Sequence, residues 1–299
     1  MNTYNRTYIL GIIICFSVFS QKLVSQVSKI EKEALVTLYN ATNGQNWSNT
    51  WNLNKPVSTW YGVKLKNDKV VELNLFNNNL VGSIPESISD IKHLTVLNMA
   101  FNSITGLLPK NMVDLSELKI FKVEMNRIKG GIPQAIGKMR NLVEFSAFNN
   151  FLTGPIPESF GRLENLRVLN LSSNNIKGRI PNSIGNLNNL ETLGLFENGL
   201  QGSIPPEMGK LLNLKELVLA NNQLAGGIPE EFGQLASLEI LQIQNNKFDS
   251  FKGLNAMNTE AFAAFDYDEK YLELDLKNNN KTKTRMADTK FEDEDNNDK

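Results

Sequence analysis

The sequence repeats itself every 24 residues over most of its length. An asparagine marks each copy, and no residue is inserted or lost between copies. The eight marker asparagines are Asn78, Asn102, Asn126, Asn150, Asn174, Asn198, Asn222 and Asn246. A fixed period of this length predicts a solenoid, in which each unit stacks only on its neighbours. We therefore expect the 299-residue chain to form one elongated body rather than two globular domains.

Each repeat follows the pattern L-x-x-L-x-L-x-x-N-x-L, as in the segment from Leu94 to Ile104. Alternating apolar residues such as Leu169 and Leu171 predict the inward side of a short strand, with the residues between them facing outward. The marker asparagine ends the strand. Because its amide can both donate and accept, stacked copies can satisfy backbone groups of neighbouring coils. Losing one such buried partner costs about 1–3 kcal/mol.

A second motif, Gly-x-Ile-Pro, follows the asparagine. Glycine permits a tight turn, and proline fixes an extended or early helical φ. The copies are Gly82-x-Ile84-Pro85, Gly130-x-Ile132-Pro133, Gly154-x-Ile156-Pro157, Gly178-x-Ile180-Pro181, Gly202-x-Ile204-Pro205 and Gly226-x-Ile228-Pro229, with Gly106-x-Leu108-Pro109 as a variant. The rest of each unit, such as residues 160–166, predicts a short helical turn on the convex side.

Together, these motifs resemble those of leucine-rich repeat proteins of the plant-type subclass, which is found in receptor ectodomains and polygalacturonase-inhibiting proteins. The resemblance covers residues 70–247 as eight repeats, the last incomplete. It implies an α/β-type repeat solenoid that curves as a right-handed superhelix. Short parallel strands would form its concave face, and 3-10 or short helical turns its convex face. It also implies recognition of a protein or carbohydrate without catalysis.

Residues 1–25 predict a secretory signal peptide. Arg6 precedes an apolar run from Tyr8 to Phe19, and small residues follow at Ser20 and Ser25. The alternative is a membrane anchor, but about 12 apolar residues fall short of the ~20 needed to span a bilayer. Cys15, the single cysteine, lacks the small residues expected before a lipidated cysteine. We expect no integral membrane segment after cleavage, and a location that is secreted, periplasmic or on the cell surface.

Residues 26–69 predict a cap over the first repeat. Ser28 and Glu31 fit a capping box at the start of a helix that ends near Asn43 and Gly44. The apolar face of this helix is predicted to contain Ile30, Ala34, Leu35, Leu38 and Tyr39.

Three tryptophans, Trp47, Trp51 and Trp60, follow the helix. The cap resembles that of plant-type leucine-rich repeat proteins, in which a tryptophan and a Gly-Val pair lie between two cysteines. Here Ser58 and Leu65 occupy the cysteine positions. The cap must then be stabilised by packing alone, with the three tryptophans buried in its core. The alternative is that the tryptophans bind a ligand. The absence of a disulfide favours a bacterial rather than a plant protein.

Residues 248–276 predict a C-terminal cap, because terminal units would otherwise expose core. Its expected parts are an aromatic segment at Phe248 and Phe251, a helix from Thr259 to Phe265 and an apolar alternation from Tyr271 to Leu276. Residues 277–299 are almost wholly polar and predict a disordered, charged tail.

Several functions find no support in the sequence. The formal net charge is −1 with no basic run across the repeats, which disfavours nucleic acid as a partner. His93 is the single histidine, so no serine–histidine or histidine–metal site can be built. We expect no cofactor, no metal and no enzymatic activity.

Acidic side chains on the strands provide the remaining route to catalysis. The carboxylates expected to face solvent are Glu72, Glu124, Glu144, Glu197 and Glu216. The closest pair, Glu124 and Glu144, lies on adjacent strands but four residues out of register. That offset corresponds to about 13 Å, whereas a glycosidase pair needs roughly 5–9.5 Å.

The outward side of the strands carries more large apolar groups than a solvated face requires, and exposed aromatic clusters commonly mark binding sites. The candidate ligand-binding residues on the concave face are Phe76, Phe101, Lys122, Glu124, Met125, Phe148, Phe151 and Phe196. Two alternatives remain open. The phenylalanines could simply stack across coils, and the polar stretch between Ser172 and Gln244 could form the contact region instead.

Two functional classes follow. The first is an exported, monomeric, non-enzymatic module that binds a protein or glycan through its concave face. The second is a structural or surface-adhesion protein that uses the solenoid as a spacer and the tail for attachment. Deleting residues 277–299 separates them, because the first class keeps ligand binding and the second loses surface association. A receptor ectodomain is disfavoured, since no apolar span follows Leu276.

Overall fold

The computed structural model describes residues 27–257 and 262–267. The predicted signal peptide, the alternation from Tyr271 to Leu276 and the charged tail all lie outside the described residues. Of the helices within this part of the chain, none combines the length and apolarity needed to cross a membrane.

Within these described ranges there is one α-helix, α1, which spans Lys29–Ala41. The strands are β1 Val63–Lys66, β2 Lys69–Asn74, β3 Val81–Ser83, β4 Val96–Asn98, β5 Ser103–Thr105, β6 Ile120–Lys122, β7 Lys129–Gly130, β8 Glu144–Ser146, β9 Phe151–Gly154, β10 Val168–Asn170, β11 Asn175–Gly178, β12 Thr192–Gly194, β13 Gly199–Gly202, β14 Glu216–Val218, β15 Gln223–Gly227, β16 Ile240–Gln242, β17 Lys247–Ser250 and β18 Ala264–Asp266. The 3-10 helices are Gly44–Asn46, Val57–Thr59, Glu86–Asp90, Lys110–Asp114, Ile136–Lys138, Glu158–Arg162, Asn182–Asn186, Pro206–Lys210, Glu230–Gln234 and Lys252–Ala256.

The strands form a ten-stranded sheet in the order β1-β2-β4-β6-β8-β10-β12-β14-β16-β18. β1 pairs with β2 antiparallel, and each later pair is parallel with equivalent residues aligned, as in Leu169 with Leu193. On the far side of each marker asparagine, the remaining strands form a six-stranded and a two-stranded sheet. This arrangement confirms the predicted repeat solenoid. We call the solvent side of the ten-stranded sheet the concave face.

The constant 24-residue spacing aligns equivalent side chains in every coil. Leu193 and Leu195, for example, lie in the interior beside their counterparts in the neighbouring coils. The buried apolar residues form one cluster that runs from Val27 in the cap to Phe262 near the other end. Because each coil contacts only the coils beside it, the stability of the body depends on this stacking.

Glycines in the convex turns allow the coils to approach closely. A Cβ built on Gly185 would lie 2.4 Å from the backbone carbonyl oxygen of Glu207 in the next coil. Gly137, Gly161 and Gly209 face the next coil in the same way. A side chain at these positions would force adjacent coils apart.

The cap helix differs from its prediction at one position. Ser28 caps the helix, since its Oγ accepts from the backbone N–H of Glu31 at 3.2 Å, but Ile30 is 63 % exposed and Glu31 takes its place on the buried face. The reason is that the carboxylate of Glu31 is used twice. It accepts a hydrogen bond from Ser28 Oγ at 2.8 Å and another from the backbone N–H of Val70 in β2 at 3.3 Å.

The C-terminal end also differs from its prediction. The helix expected from Thr259 to Phe265 is wrong in its last residues, because Ala264–Asp266 form strand β18. β18 pairs in parallel with β16, placing Phe265 opposite Leu241, 24 residues earlier. The repeat spacing therefore continues into the segment assigned to the C-terminal cap, and it overrides the local helical preference.

Candidate functional site

The marker asparagines join the coils through their side chains. Seven of them, from Asn102 to Asn246, share one set of hydrogen bonds. In Asn150, Oδ1 accepts from the backbone N–H of Ile128 at 2.9 Å, and Nδ2 donates to the carbonyl of Val123 in the preceding coil and to that of Ala147 in its own. Asn78 differs, because its Oδ1 accepts from Asn49 in the cap.

The residue before each marker asparagine adopts the left-handed conformation, with φ between 46° and 56°. The eight residues are Asn77, Phe101, Met125, Asn149, Ser173, Glu197, Asn221 and Asn245. Bulky residues such as phenylalanine and methionine rarely adopt this conformation. The turn is therefore imposed by the coil geometry, and it presents these side chains at the edge of the concave face.

Phe76 and Phe101 form an exposed aromatic pair near the N-terminal cap. Their ring centroids are 5.1 Å apart, and the side chains are 45 % and 43 % exposed, respectively. An aromatic pair that leaves this much surface in water provides a ready contact for a partner.

A groove of about 480 Å³ lies farther along the concave face. Met125, Phe148 and Phe196, three of the predicted candidates, line one side of it. Its floor comes from neighbouring strands of the ten-stranded sheet and contains Gly194 and Val218. Its remaining lining residues are Asn149, Asn170, Ser172, Ser173, Thr192, Glu197, Glu216, Ile240, Gln242, Ala263 and Ala264.

Phe151 is not part of this groove. It begins β9 of the six-stranded sheet, where it pairs with Lys129 and is 52 % exposed. The three tryptophans are also separate from the groove. Trp47, Trp51 and Trp60 are buried in the cap, where the rings of Trp51 and Trp60 stack with centroids 4.8 Å apart.

Lys122 lies between two carboxylates on the concave face. Its Nζ is 2.9 Å from Glu144 Oε1 and 3.5 Å from Glu124 Oε1. Partial burial lowers the pKa of Lys122, but the hydrogen bond to Glu144 and the charges of both carboxylates outweigh it and raise the pKa above its ordinary value of 10.5. The lysine therefore stays cationic and holds the two acids together.

Two expectations about these acids are wrong. Glu124 does not face solvent, because it is only 6 % exposed and its Oε2 is buried without a hydrogen-bond partner. Glu124 and Glu144 are also much closer than their backbone offset suggests, since both reach the same nitrogen of Lys122. The ammonium group of Lys122 thus joins the two carboxylates in an ion-pair network.

Another polar network lies at the entrance to the strands. Glu191 forms ion pairs with Arg167 and with Lys215, the latter at 3.1 Å. The hydrogen bonds from Lys215 and Arg167 hold the pKa of Glu191 below its ordinary value of 4.5. Within residues 27–257 and 262–267, no group of three histidine, cysteine or acidic side chains is placed to hold a metal ion.

Family models match much of this repeat array. The model described as "Leucine-rich repeat region" matches residues 152–259, and the model described as "Leucine Rich Repeat" matches residues 69–91 and 93–115. These segments contain the aromatic pair and most of the groove, but not its lining residues Met125, Phe148, Asn149, Ala263 and Ala264. The chain is a leucine-rich repeat protein.

Solved structures of plant receptors resemble this leucine-rich repeat protein. A TDR receptor is 36 % identical, with a TM-score of 0.56 over 57 % of this chain and 30 % of the receptor. The Arabidopsis receptor kinase HAESA, in complex with the peptide hormone IDA and the co-receptor SERK1, is 37 % identical, with a TM-score of 0.57 over 59 % of this chain and 29 % of HAESA. The chain thus spans about three tenths of the length of these two receptors.

A shorter structure matches over most of its own length. Pollen Receptor Kinase 3 is 26 % identical, with a TM-score of 0.54 over 62 % of this chain and 91 % of the kinase chain. Among curated proteins, none matches this sequence.

The sequence pattern missed the floor of the groove in this leucine-rich repeat protein. Prediction concentrated on the two positions before each marker asparagine, whereas the floor comes from outward positions within the strands. Gly194 was the available signal. It occupies an outward strand position at which the neighbouring coils carry Asn170 and Val218, so one side chain is missing from the floor.

Proposed function

We propose that this leucine-rich repeat protein is an exported, non-enzymatic binding module that recognises a peptide or protein segment on its concave face. The observation that carries the proposal is the groove of about 480 Å³ between the aromatic turn residues and the strand floor. Clefts of 300–1,000 Å³ with mostly apolar walls and a few polar groups are typical of binding sites.

The chemistry of the groove favours a polypeptide over a carbohydrate. Val218, Ile240 and Ala264 provide an aliphatic floor, which suits an apolar side chain better than a sugar ring rich in hydroxyl groups. The resemblance to HAESA, which was solved with a peptide hormone and a co-receptor, supports the same class of partner. We extend this class to the present chain as part of the proposal.

A location outside the cytoplasm belongs to the proposal as well. The order of charged, apolar and small residues in positions 1–25 supports export. The receptor resemblances are consistent with an extracellular setting. We further propose that the protein is a monomer and that its source is bacterial rather than plant. We also propose that the solenoid presents the binding site and supplies no acid–base catalyst.

Affinity capture from the native exterior tests the proposal. The bait is the purified protein, and the test variant carries Phe148→Ser and Phe196→Ser, which remove two aromatic walls of the groove. Phe151→Ser is the matched control, because it removes an equally apolar residue outside the groove. Circular dichroism must show the same fold for all three.

We expect one polypeptide to be captured by the wild type and by the control but not by the double variant. Equal capture by all three proteins would exclude the groove as the recognition site. In the alternative spacer role, surface association would instead depend on residues 277–299 and would survive the double substitution.

A further inference from the structure

The charged side chains that line the groove are acidic. Among the residues that the structure describes, its lining contains no lysine or arginine, but it contains the two carboxylates of Glu197 and Glu216. Glu197 is exposed, and its Oε2 accepts a hydrogen bond from Ser173 at 2.9 Å. Glu216 begins β14, and within the described part of the chain its carboxylate belongs to no ion pair.

The nearest basic residues of the strand entrance do not neutralise the groove. Lys215, next to Glu216 in the chain, instead pairs with Glu191, and Arg167 pairs with the same carboxylate. Both cations therefore pair with Glu191, and the carboxylate of Glu216 remains available to a partner. A groove with two acidic groups and no basic one favours a cationic partner.

The two carboxylates lie at opposite edges of the groove. Glu216 stands level with Thr192, at the start of the neighbouring strand, whereas Glu197 lies in the turn beyond that strand. Glu197 comes five positions after Thr192, which corresponds to at most about 16 Å, because the chain turns after β12 ends at Gly194. The apolar floor lies between these edges.

Gly194 lies in the floor of the groove, where the ends of two neighbouring side chains cover it. A Cβ built there would come within 2.6 Å of Asn170 Oδ1 and 2.9 Å of Ser172 Oγ. The φ of Gly194 is not in the left-handed range, and the clash is with side-chain ends rather than backbone. A larger residue would therefore displace the Asn170 and Ser172 side chains and change the floor of the groove.

We propose that the groove binds an extended polypeptide segment in which one large apolar side chain is flanked, two or three residues away, by lysine or arginine. The apolar side chain packs on the floor of Gly194, Val218 and Ile240, and the cationic groups reach Glu197 and Glu216 at the two edges. The spacing follows from about 3.3 Å per residue and about 8 Å from the centre to either edge. Charge-assisted hydrogen bonds to the carboxylates fix the register of the segment. This inference rests on the proposed function.

Selection from a random dodecapeptide library against the full chain tests the inference. We expect the enriched peptides to share a large apolar residue with lysine or arginine two or three positions away. An enriched peptide should bind a Glu197→Gln/Glu216→Gln variant about tenfold more weakly, as expected when charge-assisted contacts are lost. Glu230→Gln, on the convex side, is the matched charge control and should leave affinity unchanged. Gly194→Val should abolish binding, whereas Thr153→Val on the six-stranded sheet should not.

The outcomes separate this inference from the proposed function. Enrichment of neutral or acidic apolar peptides that still depends on Gly194 would overturn the cationic preference and leave the binding groove standing. A selection in which Gly194→Val and the wild type enrich the same peptides would overturn both. Thermal unfolding of each variant by circular dichroism verifies that lost binding does not reflect lost fold.

Discussion

Asn150 Oδ1 accepts a hydrogen bond from the backbone N–H of Ile128, one coil earlier, at 2.9 Å. The same amide donates to backbone carbonyls of both coils, so a single side chain satisfies groups that would otherwise be buried without partners. This relationship recurs from Asn102 to Asn246, so the marker asparagines join each coil to the one before it.

Replacing Asn150 with alanine should therefore destabilise the protein. We expect the free energy of unfolding to fall by about 2–4 kcal/mol, since each buried backbone group left without a partner costs about 1–3 kcal/mol. Asn175→Ala is the control, because Asn175 is exposed on β11. Guanidinium denaturation followed by circular dichroism measures both. Equal midpoints for the two variants would mean that the amide does not hold the coils together.

The convex glycines provide a second matched pair. Gly185→Ala places a Cβ 2.4 Å from a backbone oxygen and should cost about 1–3 kcal/mol, because overpacked sites must shift the surrounding backbone. Gly131→Ala should be nearly neutral, since its nearest neighbour, the Thr153 carbonyl, would be 3.7 Å away. Thermal midpoints of the two variants test this. Similar losses at both positions would show that coil spacing is not limited by the convex turn.

Met125 combines backbone strain with a place in the groove. It has φ of 55°, whereas four equivalent positions carry asparagine, which adopts this conformation more readily. Met125→Asn should raise the free energy of unfolding by about 1 kcal/mol as the strain is relieved. Partner binding, measured by calorimetry, should weaken at the same time. A variant that is less stable than wild type would show that methionine packing outweighs the strain.

The ion pairs of Glu191 should make stability depend on pH in the acidic range. Its pKa is lowered in the folded state, so its contribution is present above pH 4.5 and is lost as the pH falls through the folded pKa. Glu191→Gln should consequently melt below the wild type at pH 7, and the difference should shrink below pH 4.5. Glu230→Gln should have the same melting temperature as the wild type at each pH. A difference for Glu191→Gln that stays constant down to pH 3 would contradict this assignment.

Much of the fold could be predicted because the 24-residue period determines which residues meet. Equivalent positions such as Leu169 and Leu193 must align once the spacing is constant. Predictions from local sequence preferences were less accurate where tertiary contacts compete with those preferences. Glu31 displaced Ile30 from the buried helix face because its carboxylate holds Val70, and β18 formed where composition suggested a helix.

The candidate site could be predicted only in part. The turn residues Phe148 and Phe196 were identifiable from their position before the marker asparagine. The floor was not, because it depends on the size of side chains brought together from several coils, including the absence of one at Gly194. The burial of Glu124 and its approach to Glu144 were also inaccessible, since backbone register does not show where long side chains converge on Lys122.

Site-specific photocross-linking tests the concave binding surface most directly. A benzophenone amino acid is placed at Phe148, which lines the groove, and separately at Thr153, which is exposed on the six-stranded sheet a few residues away. Both proteins are irradiated with the native exterior fraction, and the products are identified by mass spectrometry. We predict a polypeptide cross-linked from position 148 and none from position 153. Cross-links from position 153 alone would contradict recognition on the concave face.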